Sequence, residues 1–165
     1  MTALDLDVAI EGGAWSEVAD IEALARRAVA AALGVASDAP RDPVEVSLLL
    51  TDDAGVRELN SAWRGKDKPT NVLSFPAPEQ PGVPGPHHLG DIALAFETLQ
   101  REARDEGKTV ADHAAHLIVH GTLHLLGYDH ETTGEAEIME ALEVKALKSL
   151  GIGDPYRDTE LADRP

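Results

Sequence analysis

From Val110 to Leu126 the chain reads as a helix that is apolar on nearly every side and interrupted mainly by histidines. A helix without a polar face has to be covered all round, so it belongs at the centre of a core that the other elements wrap. Within it His120 and His124 stand one turn apart and project from the same face. Gly127 can take the left-handed conformation that closes a helix, so Tyr128 and Asp129 can turn the chain back and bring His130 towards the first two imidazoles. Three neutral imidazoles with one position left open are a common shell for a catalytic zinc ion. The expectation is one Zn2+ per chain on His120, His124 and His130, with another divalent metal as the alternative. The spacing H-x3-H-x2-G-x2-H is also that of the metzincin proteases, except that Gly121 stands where those enzymes carry a glutamate base. His116, one turn before His120, is expected to be a buried, hydrogen-bonded histidine, because three ligands already fill a catalytic site. His113, beside Asp112 near the helix start, is expected in solvent. His87 and His88 lie in a proline-rich loop and receive no role.

Cysteine is absent, which excludes thiolate ligands and disulfides and leaves His, Asp and Glu to hold any metal. A length of 165 residues and 43% apolar content fit one globular domain, expected over residues 1–153 with a loose tail over 154–165. Asp5, Asp7 and Glu11 occupy the region where a signal peptide needs basic and then apolar residues. No apolar run approaches the roughly 20 residues of a membrane span. The expectation is a soluble, cytoplasmic protein. A formal net charge of −16 argues against an extended electrostatic grip on a polyanion, though not against a short contact at one site.

The rest of the chain alternates between two periods. Leu4, Leu6, Val8 and Ile10 alternate with polar or small residues, as do Val44, Val46, Leu48 and Leu50, the pattern of half-buried strands. An alanine-rich helix is expected between them, from about Ser16 to Leu33, ended by Gly34. Thr51 or Asp52 can cap a short helix that carries Val56, Leu59 and Trp63 on one apolar face and ends at Gly65. The densest cationic stretch, Arg64 to Thr70, follows it. A short strand over 71–75, an exposed loop over 76–88 and a fourth strand over 90–96 come next. A polar helix over 97–106 precedes the histidine helix, whose start Thr109 and Asp112 mark as a capping box. Thr132 and Glu135 open a last helix that ends at Gly151. The sum is an α+β single domain: about four strands in a mixed sheet packed with about five helices, the zinc-ligand helix central.

Three stretches, in order and spacing, resemble the YbeY family of bacterial rRNA maturation factors. They are H-G-x-L-H-L-x-G-Y-D-H over His120–His130, R-G-K-D-K-P-T-N-V-L-S-F-P over Arg64–Pro76, and L-G-D-I-A over Leu89–Ala93. The resemblance implies a single-strand-specific, metal-dependent endoribonuclease acting in 16S rRNA 3′-end maturation and ribosome quality control. It implies metal ligands at His120, His124 and His130 and a functional arginine at Arg64. Its substrate would be single-stranded RNA, the 16S rRNA precursor. Its partners would be the ribosome or its small-subunit proteins, with an assembly GTPase a further candidate; DNA and membranes are not expected. Many members of the family carry Asp where this chain has Asn71.

The chemistry is self-consistent. A three-histidine site lowers the pKa of bound water from about 15.7 to about 7, so a metal-bound hydroxide could hydrolyse a phosphodiester without a glutamate at position 121. Arg64, with its planar fork, suits the charge that builds on the phosphoryl oxygens; the alternative is an ordinary helix-end cation. Lys66 and Lys68 could hold backbone phosphates or stay solvated. Ser74, Asp91 and Asp129 could shape the pocket, Asp129 either orienting an imidazole or forming the turn. Glu131 and Glu135 are the nearest candidates for a separate base. Trp63 is expected in the core rather than under a nucleobase. Two other classes remain: a non-catalytic ribosome assembly factor with a structural metal, and a metzincin-like metalloprotease, which would lack its base.

Overall fold

The computed structural model describes residues 3–40, 43–78 and 86–156. In it the alternating segments become strands Leu4–Ile10 (β1), Val44–Thr51 (β2), Val72–Pro76 (β3) and His87–Ala95 (β4). They form one mixed sheet in the order β1-β2-β4-β3, with β1, β2 and β4 parallel and β3 antiparallel on the edge. Along β2, Val44, Val46, Leu48 and Leu50 are buried while Glu45, Ser47 and Leu49 are half-buried, so the pleat gives the sheet two unequal faces.

Five α-helices are found among the described residues: Ile21–Val35 (α1), Asp53–Arg64 (α2), Phe96–Asp105 (α3), Val110–Leu125 (α4) and Thr133–Ser149 (α5). The main core joins Ala25, Ala28 and Val29 of α1 to Leu117, Ile118 and Leu123 of α4 and to Leu48, Leu50, Ile92 and Leu94 of the sheet. On the opposite face Val56 and Leu59 of α2 cover Leu49, Leu73, Phe75 and Ala93. α4 packs against α1, α3, α5, β3 and β4, and every residue from His113 to Leu123 is buried. The helix that needed cover on every side has it. No helix among the described residues is long and apolar enough to cross a membrane.

Several local expectations change. Gly34 does not end α1: the helix continues to Val35, and the Ala36 N–H still donates to the Ala32 carbonyl at 3.3 Å. At its other end the segment near Ser16 is a separate 3-10 turn, Trp15–Glu17, and Asp20 at φ 48° precedes α1. Trp15 holds that turn over the sheet: its indole N–H donates to the Thr51 carbonyl at 3.0 Å, and its ring meets Phe96 edge-to-face at 5.1 Å. The fourth strand begins at His87 rather than Gly90, because β2 supplies pairing partners as far back as Val44; residues 79–85 of the expected loop lie outside the described residues. Trp63 is 71% exposed rather than buried, since α2 turns Val56 and Leu59 to the sheet while residues 61–64 of its last turn are exposed. At the chain's end Tyr156 is buried, so packing reaches past residue 153; the tail over 157–165 lies outside the described residues.

Candidate metal centre

Both ends of α4 are built by local chemistry. Thr109 accepts the Asp112 N–H at 3.0 Å as the cap of the first turn. At the other end the Gly127 N–H donates to the His124 carbonyl at 3.0 Å and the Tyr128 N–H to the Leu123 carbonyl at 3.1 Å. This paired arrangement is a Schellman turn, with Gly127 at φ 102°. The turn reverses the chain, and Asp129 braces it by accepting the His130 N–H at 2.8 Å. His130 is thereby returned to α4: ring centroids are 4.6 Å apart for His120–His124, 5.1 Å for His124–His130 and 5.4 Å for His120–His130. The three imidazoles offer nitrogen atoms within 4.8 Å of one another, with His120 buried, His124 half-buried and His130 exposed. The cluster therefore opens to solvent on the His130 side.

The hydrogen bonds around the rings decide which nitrogens face inward. His124 Nδ1 lies 2.8 Å from the Tyr128 carbonyl and His120 Nδ1 3.3 Å from Glu143 Oε2. Both partners only accept, so each Nδ1 carries the hydrogen and each Nε2 presents a lone pair. Those two Nε2 atoms are 3.1 Å apart. Two lone pairs at that distance repel unless a cation lies between them. Burial, then the neighbouring His120 and His130, push His124 down to about 4, so its ring does not bring a second proton to that contact at neutral pH. A metal ion fits the donor set: nitrogens at about 2.0–2.1 Å from a tetrahedral ion are about 3.3–3.4 Å apart.

Behind His120 lies a buried polar network. Glu143 on α5 is 1% exposed; its Oε2 faces His120 Nδ1, and its Oε1 takes His116 Nε2 at 2.6 Å and the Tyr156 hydroxyl. Burial alone would raise the Glu143 pKa, but the hydrogen bonds from His116 and His120 outweigh it and hold the carboxyl down to about 2. Burial, opposed by Glu143, leaves His116 below its ordinary value. The glutamate is therefore an anion that accepts from both His116 and His120. His116 is the buried, hydrogen-bonded residue expected of it. Glu143 was not anticipated, although it falls on the buried stripe of α5 with Ala136, Met139, Ala146 and Leu147, where a lone carboxylate signals a buried donor. Tyr156 left no comparable signal.

Other candidates resolve individually. His113 is not solvated: it is 1% exposed and its Nε2 donates to Glu102 at 2.9 Å, because α3 packs over the first turns of α4. Asn71 donates to the same Glu102 oxygen at 3.0 Å, a contact that an aspartate would turn into carboxylate repulsion. Glu102, Glu106 and His113 also bring donor atoms together, but Glu106 is paired with Lys108 at 2.9 Å and Glu102 is engaged by His113 and Asn71. Asp91 is exposed, 3.8 Å from His88. Glu131 and Glu135 are exposed. Lys66 and Lys68 are exposed on a loop tied back by Asn60, which donates to the Lys68 carbonyl at 2.9 Å, and by a bidentate Arg57–Asp67 pair at 2.7 and 3.1 Å.

Gly121, where the protease spacing has its glutamate, lies closely packed against the sheet. A Cβ there would lie 3.1 Å from Ile92 and 3.2 Å from the Ser74 hydroxyl, so any side chain at 121 has to displace these neighbours. Ser74 thus touches α4 beside His120 with its side chain, while its carbonyl accepts from Arg64 at 2.8 Å. The Arg64 guanidinium also sits over Phe75, 5.4 Å from the ring centroid. Its contacts are with β3; the imidazoles are joined to one another and to Glu143 and Tyr128.

Residues 13–151 match the family model described as Endoribonuclease YbeY. Endoribonuclease YbeY of Nitrobacter winogradskyi is 54% identical over 158 residues, covering 93% of this chain and 83% of that protein. Endoribonuclease YbeY of Rhizobium etli is 50% identical over 172 residues, covering 100% of each. Among solved structures, the solution structure of TM1509 from Thermotoga maritima is similar with a TM-score of 0.55 at 25% identity, over 97% of this chain and 100% of that one.

Proposed function

The chain belongs to the YbeY endoribonuclease family, and on that premise we propose that it hydrolyses single-stranded RNA with a divalent metal, zinc by preference, held by His120, His124 and His130. The observation that carries the metal reading is the pair of Nε2 lone pairs 3.1 Å apart whose Nδ1 hydrogens are already committed. Bound there, the ion supplies Lewis acidity towards a phosphoryl oxygen and an acidified water at neutral pH. The protein's part is positional. α4 and its Schellman turn hold the three donors before the ion arrives, and the exposed His130 side leaves an approach for a phosphodiester. Gly121 keeps α4 pressed against β3 and β4.

In this reading Arg64 is the cation that meets charge on the non-bridging oxygens. Ser74 supports the assignment, since one residue holds the Arg64 guanidinium through its carbonyl and touches α4 beside His120. The cellular task we assign is 16S rRNA 3′-end maturation and ribosome quality control in the cytoplasm. With a net charge of −16, docking on the precursor would lean on the ribosome or a small-subunit protein, an assembly GTPase being a further candidate.

The test is metal content together with cleavage of a short labelled single-stranded RNA and of precursor-containing small subunits. Wild type should hold about one zinc per chain and cleave. His124→Ala should lose both. Arg64→Ala should keep metal and fold while cleavage drops about 100-fold or more, the scale of losing one transition-state cation. Zinc retained with neither RNA nor particles cut would favour a non-catalytic assembly factor.

A further inference from the structure

The Glu143 network is joined to the candidate metal centre through one bond, Nδ1 of His120 to Oε2, and it is assembled from three separate parts of the fold. His116 comes from α4 one turn before His120, Glu143 from the middle of α5, and Tyr156 from the segment after α5. The His116 ring also lies 5.2 Å from the Tyr156 ring, centroid to centroid, so the tyrosine is fixed by packing as well as by its hydroxyl. Burying a carboxylate this deeply, at 1% exposure, is unfavourable unless donors meet both of its oxygens. His116 and Tyr156 meet one oxygen and His120 meets the other.

We propose that Glu143, clamped from behind by His116 and Tyr156, is the positioning residue of the three-histidine centre. It commits the hydrogen of His120 to Nδ1 and turns Nε2 towards the metal, so that the chain segment after α5 completes the site. The inference rests on the metal reading above and concerns what prepares the site for the ion. His124 needs no such partner from another element, because the Tyr128 carbonyl of its own terminal turn does the same work at 2.8 Å. Among the described residues the acceptor that meets His120 Nδ1 is not a carbonyl of its own turn but the Glu143 carboxylate. Carboxylates behind ligating histidines recur in metal sites, where their removal weakens metal binding by about 10–100-fold.

Glu143→Gln in the full-length protein makes the test sharp. An amide has one accepting end. Two donors, the His116 N–H and the Tyr156 O–H, face one end of the side chain and one donor faces the other. The amide oxygen should turn to the pair and the NH2 to His120, which moves the His120 hydrogen onto Nε2 and blocks the ligand. Nitrogen-detected NMR of the metal-free protein reads the tautomer directly, and competition with a chromogenic chelator reads zinc affinity. Wild type should show the Nδ1–H form of His120. The variant should show the Nε2–H form and bind zinc about 10–100-fold more weakly with an unchanged circular dichroism spectrum. Tyr156→Phe, which keeps the ring and leaves His116 and His120 as the donors to Glu143, should lower zinc affinity by a smaller factor and serves if Glu143→Gln does not fold. A folded Glu143→Gln protein that keeps the Nδ1–H tautomer and wild-type zinc affinity overturns the proposal. So would a Tyr156→Phe protein indistinguishable from wild type in both readouts, should it be the variant that folds. Wild type that takes up no zinc at all would sink the metal reading instead, while the tautomer comparison in metal-free protein still decides this one.

Discussion

Gly121 is where a single residue separates this chain from a protease with the same ligand spacing, and it does so by volume. Its missing side chain lets α4 approach until a Cβ would sit 3.1 Å from Ile92. Gly121→Ala gains roughly 1 kcal/mol of helix propensity but overpacks the junction with the sheet, which typically costs about 1–3 kcal/mol. We expect a net loss of up to about 2 kcal/mol in urea denaturation, and a failure to fold for Gly121→Glu; a stabilised alanine variant would mean that Ile92 yields more easily than the packing implies. Trp63 gives the opposite expectation. At 71% exposure its replacement by alanine should leave stability within about 0.5 kcal/mol of wild type, and a loss of 2 kcal/mol or more would show that the last turn of α2 is covered. Residue by residue, the imidazole trio was legible because a turn of helix and a helix-ending glycine fix its geometry locally. Glu143, Tyr156 and the burial of His113 were not, because each depends on which element packs beside it. His113 looks solvated from its neighbour Asp112 until α3 lays Glu102 across it.

At the level of elements, chemistry contained within a few residues was readable and chemistry that crosses the fold was not. Thr109 and Thr132 cap α4 and α5 with bonds of 3.0 and 3.1 Å, as the capping-box spacing predicts. Gly127 closes α4 and Gly151 closes α5, each with the paired bonds of a Schellman turn. Gly34 carries the same residue type but no such turn, and the helix runs past it because its backbone stays helical. Strand order was out of reach: placing β4 between β2 and β3 needs pairings across more than forty residues, such as Val46 with Gly90. The turn after α4 is the element whose failure the metal centre should feel most. Gly127→Ala forces a side chain to φ 102°, a conformation that costs about 1–3 kcal/mol. It should lower the melting temperature and weaken zinc binding together, since His130 is delivered by that turn. A variant that loses stability but keeps full zinc affinity would place His130 outside the ligand set.

For the molecule as a whole, the pH response follows from groups held away from protons. Burial and neighbouring imidazoles put His124 at about 4 against an ordinary 6.5, and burial also lowers His116. Glu143 is held at about 2 against an ordinary 4.5, since its hydrogen bonds overcome its burial. In each case the unfolded chain takes up a proton that the folded chain refuses, so stability falls as pH falls. The histidine contribution is complete above the unfolded value near 6.5 and is lost between there and about 4; the Glu143 contribution is lost later, from about 4.5 towards 2. The net charge of −16 acts the other way, because protonating carboxylates relieves self-repulsion. That relief begins only near the carboxylate range of about 4, so the interval from pH 6.5 to 5 belongs to the histidines. Salt at about 0.15 M, with a Debye length of about 8 Å, shrinks the surface term and leaves the buried one. Chelator-treated protein in that salt should show a flat melting temperature from pH 8 to 7 and a steady fall from 6.5 to 5. Zinc-loaded protein should melt higher at pH 7.5 and converge on the metal-free curve at low pH, since protons and metal compete for the same nitrogens. A metal-free melting temperature that stays level down to pH 5 would mean that His124 and His116 accept protons in the folded state as readily as in the unfolded chain. The convergence of the Nε2 atoms would then be an ordinary imidazole–imidazolium hydrogen bond.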